Sequence, residues 1–272
     1  AWRWHKHTWI ATMFAFVTGY ADIVSLIRYR AFASMLTGNA IMLGKSVMTN
    51  LSASDHGPWY YVFICLSFFA GSILQRLCEH YFPNRGSSIA AVPLAAIVVI
   101  AESVEILTSP NMDKGDIYQD WTVAGVALLF GVVASACSTG RLGTHTTMVT
   151  GHVLSLANFI SSCIVNGSVK AEDGWKAAQS MLVVVGTLAG ALFGGLLVKI
   201  VDVYVLLIPV PIVLYILLWL HDHLAKPRSI IKNVQRRMRA SAEAPSESVE
   251  KTSEECTASG DESSENSSSA HV

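Results

Sequence analysis

Charge is what this chain has least of. Only 14% of its residues are charged, against about 25% in a typical soluble domain, while 52% are hydrophobic. Its long apolar runs lack the polar face that a helix at a water-bathed surface needs. Cysteine offers no framework either: Cys65, Cys78, Cys137, Cys163 and Cys256 form no CxxC pair and no Cys/His cluster. Asp, Glu and His do not group at metal-ligand spacing, and no HExxH, GxSxG, Walker or GxGxxG element stands in a fitting context. Enzyme activity, a cofactor, a metal or a nucleic-acid partner is therefore not expected. The first apolar run has no small-residue cleavage site, so it does not read as a cleaved signal peptide.

Eight apolar segments fill the middle of the chain: Trp9–Ile27, Ser34–Leu51, Pro58–Leu77, Ile89–Thr108, Trp121–Thr139, Thr146–Val165, Ala177–Val201 and Val203–His221. Most have the roughly 20 residues that a helix needs to cross a bilayer. Trp2, Trp4, Trp9, Trp59, Tyr60, Tyr61, Tyr118, Trp121, Trp175 and Trp219 flank them, as an aromatic belt at the headgroup level would. The expectation is an all-α, polytopic helical membrane protein with six to eight crossings. Residues 1–8 form a cytoplasmic N-terminal segment, with Ala1 rather than Met at its head and earlier residues expected to be missing. Residues 9–224 form the transmembrane domain, and 225–272 a basic collar and tail.

The second and sixth segments are the weak ones, carrying Thr37, Asn39, Lys45 and Ser46 in one and Thr150, His152, Ser155 and Asn158 in the other. They are also where the chain repeats. Met35-Leu36-Thr37-Gly38-Asn39 matches Met148-Val149-Thr150-Gly151-His152 at an offset of 113, as do Ala21/Ala134, Ser25/Ser138, Arg28/Arg141 and Leu43/Leu156. About six residues later in register, Ala70-Gly71 matches Ala189-Gly190. Residues 9–108 and 121–224 thus read as two related halves, a common plan in transporters.

Basic residues choose between two topologies. Eight crossings leave them without bias. If each weak segment and its predecessor cross only once, as a broken or re-entrant pair, six crossings result. Arg3, Lys6, Arg76, Arg85, Lys170 and Lys176 then lie inside, against Lys114 and Lys199 outside. The positive-inside rule prefers this scheme, which makes the repeats inverted. Both schemes put the termini on one side, read as cytoplasmic. Lys226, Arg228, Lys232, Arg236, Arg237 and Arg239 follow the last segment. They read as a stop-transfer signal, or as a site for anionic headgroups. Eight acids then face Lys251 alone in residues 240–272, a composition expected to be disordered.

Gly19-Tyr20-Ala21-Asp22, Ser34-Met35-Leu36-Thr37-Gly38-Asn39 and Leu43-Gly44 resemble the YoaK-like family of multi-pass membrane proteins, a domain of unknown function. Gly131, Thr146-Thr147-Met148-Val149-Thr150-Gly151 and Leu156 agree in the second half. The resemblance covers roughly residues 9–222. Two features depart from the family's pattern. Met35 and Met148 stand where it has histidine, and Ala134-Ser135-Ala136 where it has a Gln-Asn pair. The family carries no established activity over to this chain.

Asp22 is the first functional candidate, because a carboxylate at membrane depth faces a bundle interior or water. It would bind a cation, relay a proton or pair with Arg28 or Arg141; the alternative is an interfacial helix end. Thr37-Gly38-Asn39 and Thr150-Gly151-His152 offer hydroxyls, a polar head and a glycine that permits a broken helix. They are expected to meet at a pseudo-two-fold axis, or else to be close packing contacts. Lys45 lines the same cavity or snorkels, and Glu102 and Glu105 share a helix face as an ion path or a solvated edge. Gly71, Gly186, Gly190 and Gly194 read as helix packing, inside the chain or across a homodimer, and Pro209 and Pro211 as a kink in the last segment. The leading expectation is a small secondary transporter taking an unidentified solute, with an anion or carboxylate preferred from the nearby cations. A tail-signalling membrane scaffold and a lipid-directed enzyme are the alternatives.

Overall fold

The structure, a computed structural model, describes residues 2–48, 57–82, 85–108, 121–139, 149–166, 171–203 and 205–224. Arg141, the collar from Lys226 to Arg239 and the acidic tail lie outside the described residues. Each apolar segment forms one helix: α1 (Trp2–Tyr29), α2 (Leu36–Met48), α3 (Pro58–Tyr81), α4 (Gly86–Thr108), α5 (Thr122–Thr139), α6 (Val149–Asn166), α7 (Ala171–Leu197) and α8 (Pro209–Leu224). No strand occurs among the described residues. Pro209 opens α8 instead of kinking it, and Val203 and the residues from Val205 to Ile208, expected to be helical, form turns. Proline at a first helical position loses only an amide that has no partner there anyway.

Four helical stretches are long and apolar enough to cross a membrane: Thr8–Tyr29, Pro58–Tyr81, Gly86–Glu105 and Asp173–Leu197. Against the six to eight crossings expected, these four meet the requirement by length and composition alone. The helical runs Thr122–Ser138 and Val149–Ile164 are apolar but shorter, and α8 has 16 residues, about 24 Å at 1.5 Å per residue against a core of about 30 Å.

The burial pattern suits lipid. Large apolar side chains such as Phe69, Ile97, Leu188, Leu192 and Ile200 point outward. Alanine and hydroxyl residues, among them Ala11, Ala15, Thr18, Ala21 and Ser25, are enclosed. Small residues let helices approach where no water is present to drive apolar side chains together.

Two crossings show how close that approach is. Along α1 and α7, Gly186 faces Thr12, Gly190 faces the Phe16 carbonyl, and Gly194 faces Tyr20 and Ile23, so the two helices run parallel. Gly19 completes this crossing against the Thr187 carbonyl. Along α3 and α5, Gly71 meets the Leu128 carbonyl and Gly131 the Phe68 carbonyl. Trp121 packs on Tyr60 and Phe63 near the starts of both helices, so these too run parallel. A Cβ at any of Gly19, Gly190, Gly71 or Gly131 would overlap a backbone carbonyl of the facing helix. Ser72 adds a hydrogen bond across the second crossing, its hydroxyl 3.1 Å from the Gly131 carbonyl.

The remaining directions follow from contacts at helix ends. Asp222 near the end of α8 accepts from Ser88 near the start of α4, so α4 and α8 are antiparallel. Arg28 at the end of α1 meets Glu102 and Glu105 near the end of α4. Hence α1, α4 and α7 point one way and α3, α5 and α8 the other. α2 packs on α3, α6 packs on α7, and α2 and α6 do not touch.

Enlarging a crossing glycine tests this packing. Gly71→Val and Gly190→Val should each destabilise the protein by at least the roughly 1–3 kcal/mol of an overpacked core, read as a lower unfolding temperature in detergent. Gly195→Ala should be silent, since nothing lies within 4 Å of its added Cβ.

Candidate functional site

Buried polar groups collect around the last two turns of α1, for a local reason. Helix α1 ends at Tyr29 and Arg30 takes a left-handed conformation (φ 53°), which turns the chain back on itself. The carbonyls left open by the helix end accept from two tyrosines of α3, Tyr60 on Tyr29 and Tyr61 on Arg30, both at 3.3 Å. These hydroxyls are buried, so Tyr60 and Tyr61 act as C-terminal caps and not as members of an interfacial belt.

The returning chain brings Ser34 beside Asp22, seven residues or roughly 10 Å back along α1 from Tyr29. Ser34 donates its N–H (2.8 Å) and its hydroxyl (2.6 Å) to the two Asp22 oxygens. Both partners are buried. Asn39, in the first turns of α2, secures the same loop by accepting from the Phe32 N–H at 2.9 Å and donating to the Phe32 carbonyl at 2.7 Å. Asp22 therefore clamps the entry of α2 into the bundle.

Arg28 does not pair with Asp22. Its guanidinium reaches Glu102 at 2.7 Å and Glu105 at 2.5 Å. The three side chains are 3%, 0% and 12% exposed. Tyr29 donates its hydroxyl to Glu102 at 3.1 Å, and Thr122 of α5 donates to Glu105 at 3.3 Å. Glu102 and Glu105 are thus an enclosed, charge-paired group where α1, α4 and α5 converge. The solvated-edge reading fails for Glu102, which touches no solvent. Ser25, fully buried, lies on the same α1 face, one turn from both Asp22 and Arg28.

The two Thr-Gly motifs are not brought together. Thr37 is exposed, Gly38 sits against the Phe32 ring and Asn39 is buried. Thr150 and Gly151 are exposed and nothing lies within 4 Å of a Cβ at Gly151. His152 is buried, with Nδ1 3.2 Å from the Ser180 hydroxyl of α7. Lys45 is exposed. The expected meeting at a shared axis fails because each motif helix packs against its own half, α2 on α3 and α6 on α7. No group of three metal-ligating side chains forms among the described residues.

Sequence reasoning passed over Ser34, Tyr60, Tyr61, Gln75, Ser87, Ser88, His221 and Asp222. The signals were a glutamine inside an apolar run and a His-Asp pair at the end of one.

The Arg28 cluster makes a stability prediction. Arg28→Met strips the enclosed Glu102 of its guanidinium and should cost about 3–5 kcal/mol, as breaking a buried pair does. Adding Glu102→Leu should recover part of that loss. Strictly additive losses in thermal denaturation would show that the two side chains are not coupled.

No curated protein and no solved structure matches the chain. A family model described as "Protein of unknown function (DUF1275)" matches residues 10–219. That span takes in α2 to α7, most of α1 and α8, and Asp22, Arg28, Glu102 and Glu105, and the chain belongs to this family, the YoaK-like multi-pass membrane proteins.

Proposed function

We propose that this chain is a small secondary transporter made of two inverted halves, with its pathway along the buried polar face of α1. The observation that carries the reading is the direction of the helices. Each helix of the first half runs opposite to its counterpart in the second, α1 to α5, α3 to α7 and α4 to α8. The crossings support the same relation. Gly19 and Phe16 correspond to Gly131 and Leu128 at an offset of 112. Gly71 and Phe68 correspond to Gly190 and Thr187 at 119. Exchanging the halves turns the α1–α7 crossing into the α5–α3 crossing, as inverted-repeat transporters require.

In this reading six helices cross, with the shorter α5 and α8 completing the four long ones. α2 and α6 do not cross, α2 entering beside Asp22 and leaving on the side where α3 begins. Both termini are then cytoplasmic. Asp22, Ser25, Arg28, Glu102 and Glu105 line a route where α5 of one half meets α1 and α4 of the other. Ionisable groups enclosed at membrane depth are the usual mark of such a route. The two halves rock about their glycine crossings to expose it in turn. Transport, and not catalysis, is the activity proposed.

Two experiments test this reading. The sequons Asn50-Leu51-Ser52 and Asn166-Gly167-Ser168 fall outside and inside respectively with six crossings; a glycan on Asn166 would overturn the topology. In proteoliposomes, uptake across a panel of organic anions and amines should be abolished by Asp22→Asn and retained after deletion of residues 240–272. Loss of all cellular function on that deletion, with no uptake of any solute, would favour a scaffold acting through its tail.

A further inference from the structure

A second polar junction lies between the halves, where the end of α3, the start of α4 and the end of α8 meet. Gln75 of α3 is 1% exposed and donates its side-chain N–H to the Ser87 hydroxyl at 2.9 Å. The next residue, Ser88, donates its N–H (2.9 Å) and hydroxyl (2.8 Å) to Asp222 of α8. The other Asp222 oxygen lies 3.2 Å from Nδ1 of His221, which is 5% exposed. Successive residues Ser87 and Ser88 tie all of these groups into one cluster.

Two atoms of this cluster are buried without a hydrogen-bond partner, Gln75 Oε1 and His221 Nε2. Their chemistry is the same. Gln75 uses its amide N–H on Ser87, so Oε1 is left as an acceptor. The Asp222 carboxylate only accepts, so the hydrogen of that contact is on His221 Nδ1, and in that tautomer Nε2 presents a lone pair. An unpaired buried acceptor costs about 1–3 kcal/mol, and here there are two. No lysine or arginine among the described residues pairs with Asp222, whose partners are Ser88 and His221.

Two orphaned acceptors beside a carboxylate call for a ligand that is positive and carries several N–H donors. We propose that this junction binds a primary ammonium group, from free ammonium, a short primary amine or an ethanolamine headgroup. The ammonium donates to Gln75 Oε1 and His221 Nε2, and its charge faces Asp222. An alkali cation is a hard acid that favours oxygen and leaves the imidazole Nε2 lone pair poorly matched, and a quaternary ammonium supplies charge but has no N–H to donate. Because α8 belongs to the second half and α3 and α4 to the first, the bound cation also ties the halves together. The site stands on its own groups and does not depend on transport.

Thermal unfolding of the full chain in phosphatidylcholine nanodiscs tests the site, with methylammonium, tetramethylammonium and sodium chloride compared at equal ionic strength. Methylammonium alone should raise the unfolding temperature dose-dependently, and Gln75→Leu and His221→Phe should each remove the shift. Gln75→Glu, which keeps an acceptor and adds charge, should enlarge it even if the other two variants fold poorly. If the source is lipid, ethanolamine headgroups in the nanodisc should raise the unfolding temperature themselves and leave methylammonium nothing to add. Equal shifts with methylammonium and tetramethylammonium, no shift with either amine or lipid, or a shift indifferent to Gln75 and His221 would overturn the proposal.

Discussion

Backbone-to-backbone approach at two glycine crossings is the constraint on which the structure depends. Inside a bilayer, apolar side chains gain nothing by leaving lipid for protein, so helices must find attraction at close range. Gly19 and Gly190 supply it between α1 and α7, Gly71 and Gly131 between α3 and α5, each meeting a carbonyl of the facing helix. Each crossing joins a helix of one half to a helix of the other. The halves are therefore interlocked along their length, and α4 and α8 close the bundle where they pack on each other and on α1 and α5.

With the halves locked at their glycines, the polar groups have defined positions. Every enclosed polar group must find a partner inside the protein, because lipid offers none. Asp22 finds Ser34, Arg28 finds Glu102 and Glu105, and Asn39 finds the backbone of Phe32. The left-handed turn at Arg30 allows the first of these, by folding the chain back two turns along α1. α2 thus begins within the bundle and not at its rim, which explains how a polar, lysine-bearing segment can follow a membrane helix directly. The junction of Gln75, Ser87, Ser88, His221 and Asp222 leaves two acceptors over, Gln75 Oε1 and His221 Nε2.

Much of this was legible in the sequence, and the boundaries of legibility are physical. Apolar runs fix helices, because chain buried in lipid must satisfy its own amides, and all eight runs became helices. The offset between halves was readable to within one residue, 113 at the Thr-Gly motifs against 112 at the crossing. The packing role of Gly71, Gly186 and Gly190 was also readable, because a glycine ladder has few other uses. Partner choice was not. The sequence offers Asp22 either Arg28 or Arg141 as a partner, and only the convergence of α1 with α4 sends Arg28 to Glu102. Likewise, Thr37 and Thr150 correspond in sequence, yet correspondence does not bring them together when each packs beside its own half. Crossing number was less legible for a simpler reason: an apolar run of 16 to 18 residues reads like a span by composition, and its length alone does not make it one.

The central claim is that corresponding helices of the two halves run in opposite directions, and cysteine cross-linking across α4 and α8 tests it most directly. In a chain whose native cysteines are replaced, Ser88→Cys paired with Asp222→Cys should form a disulfide in native membranes under mild oxidation, since the two side chains are within hydrogen-bonding distance. Ser88→Cys paired with Val210→Cys, at the opposite end of α8, should stay reduced. The reverse pattern would make α4 and α8 parallel and would contradict the inverted arrangement outright.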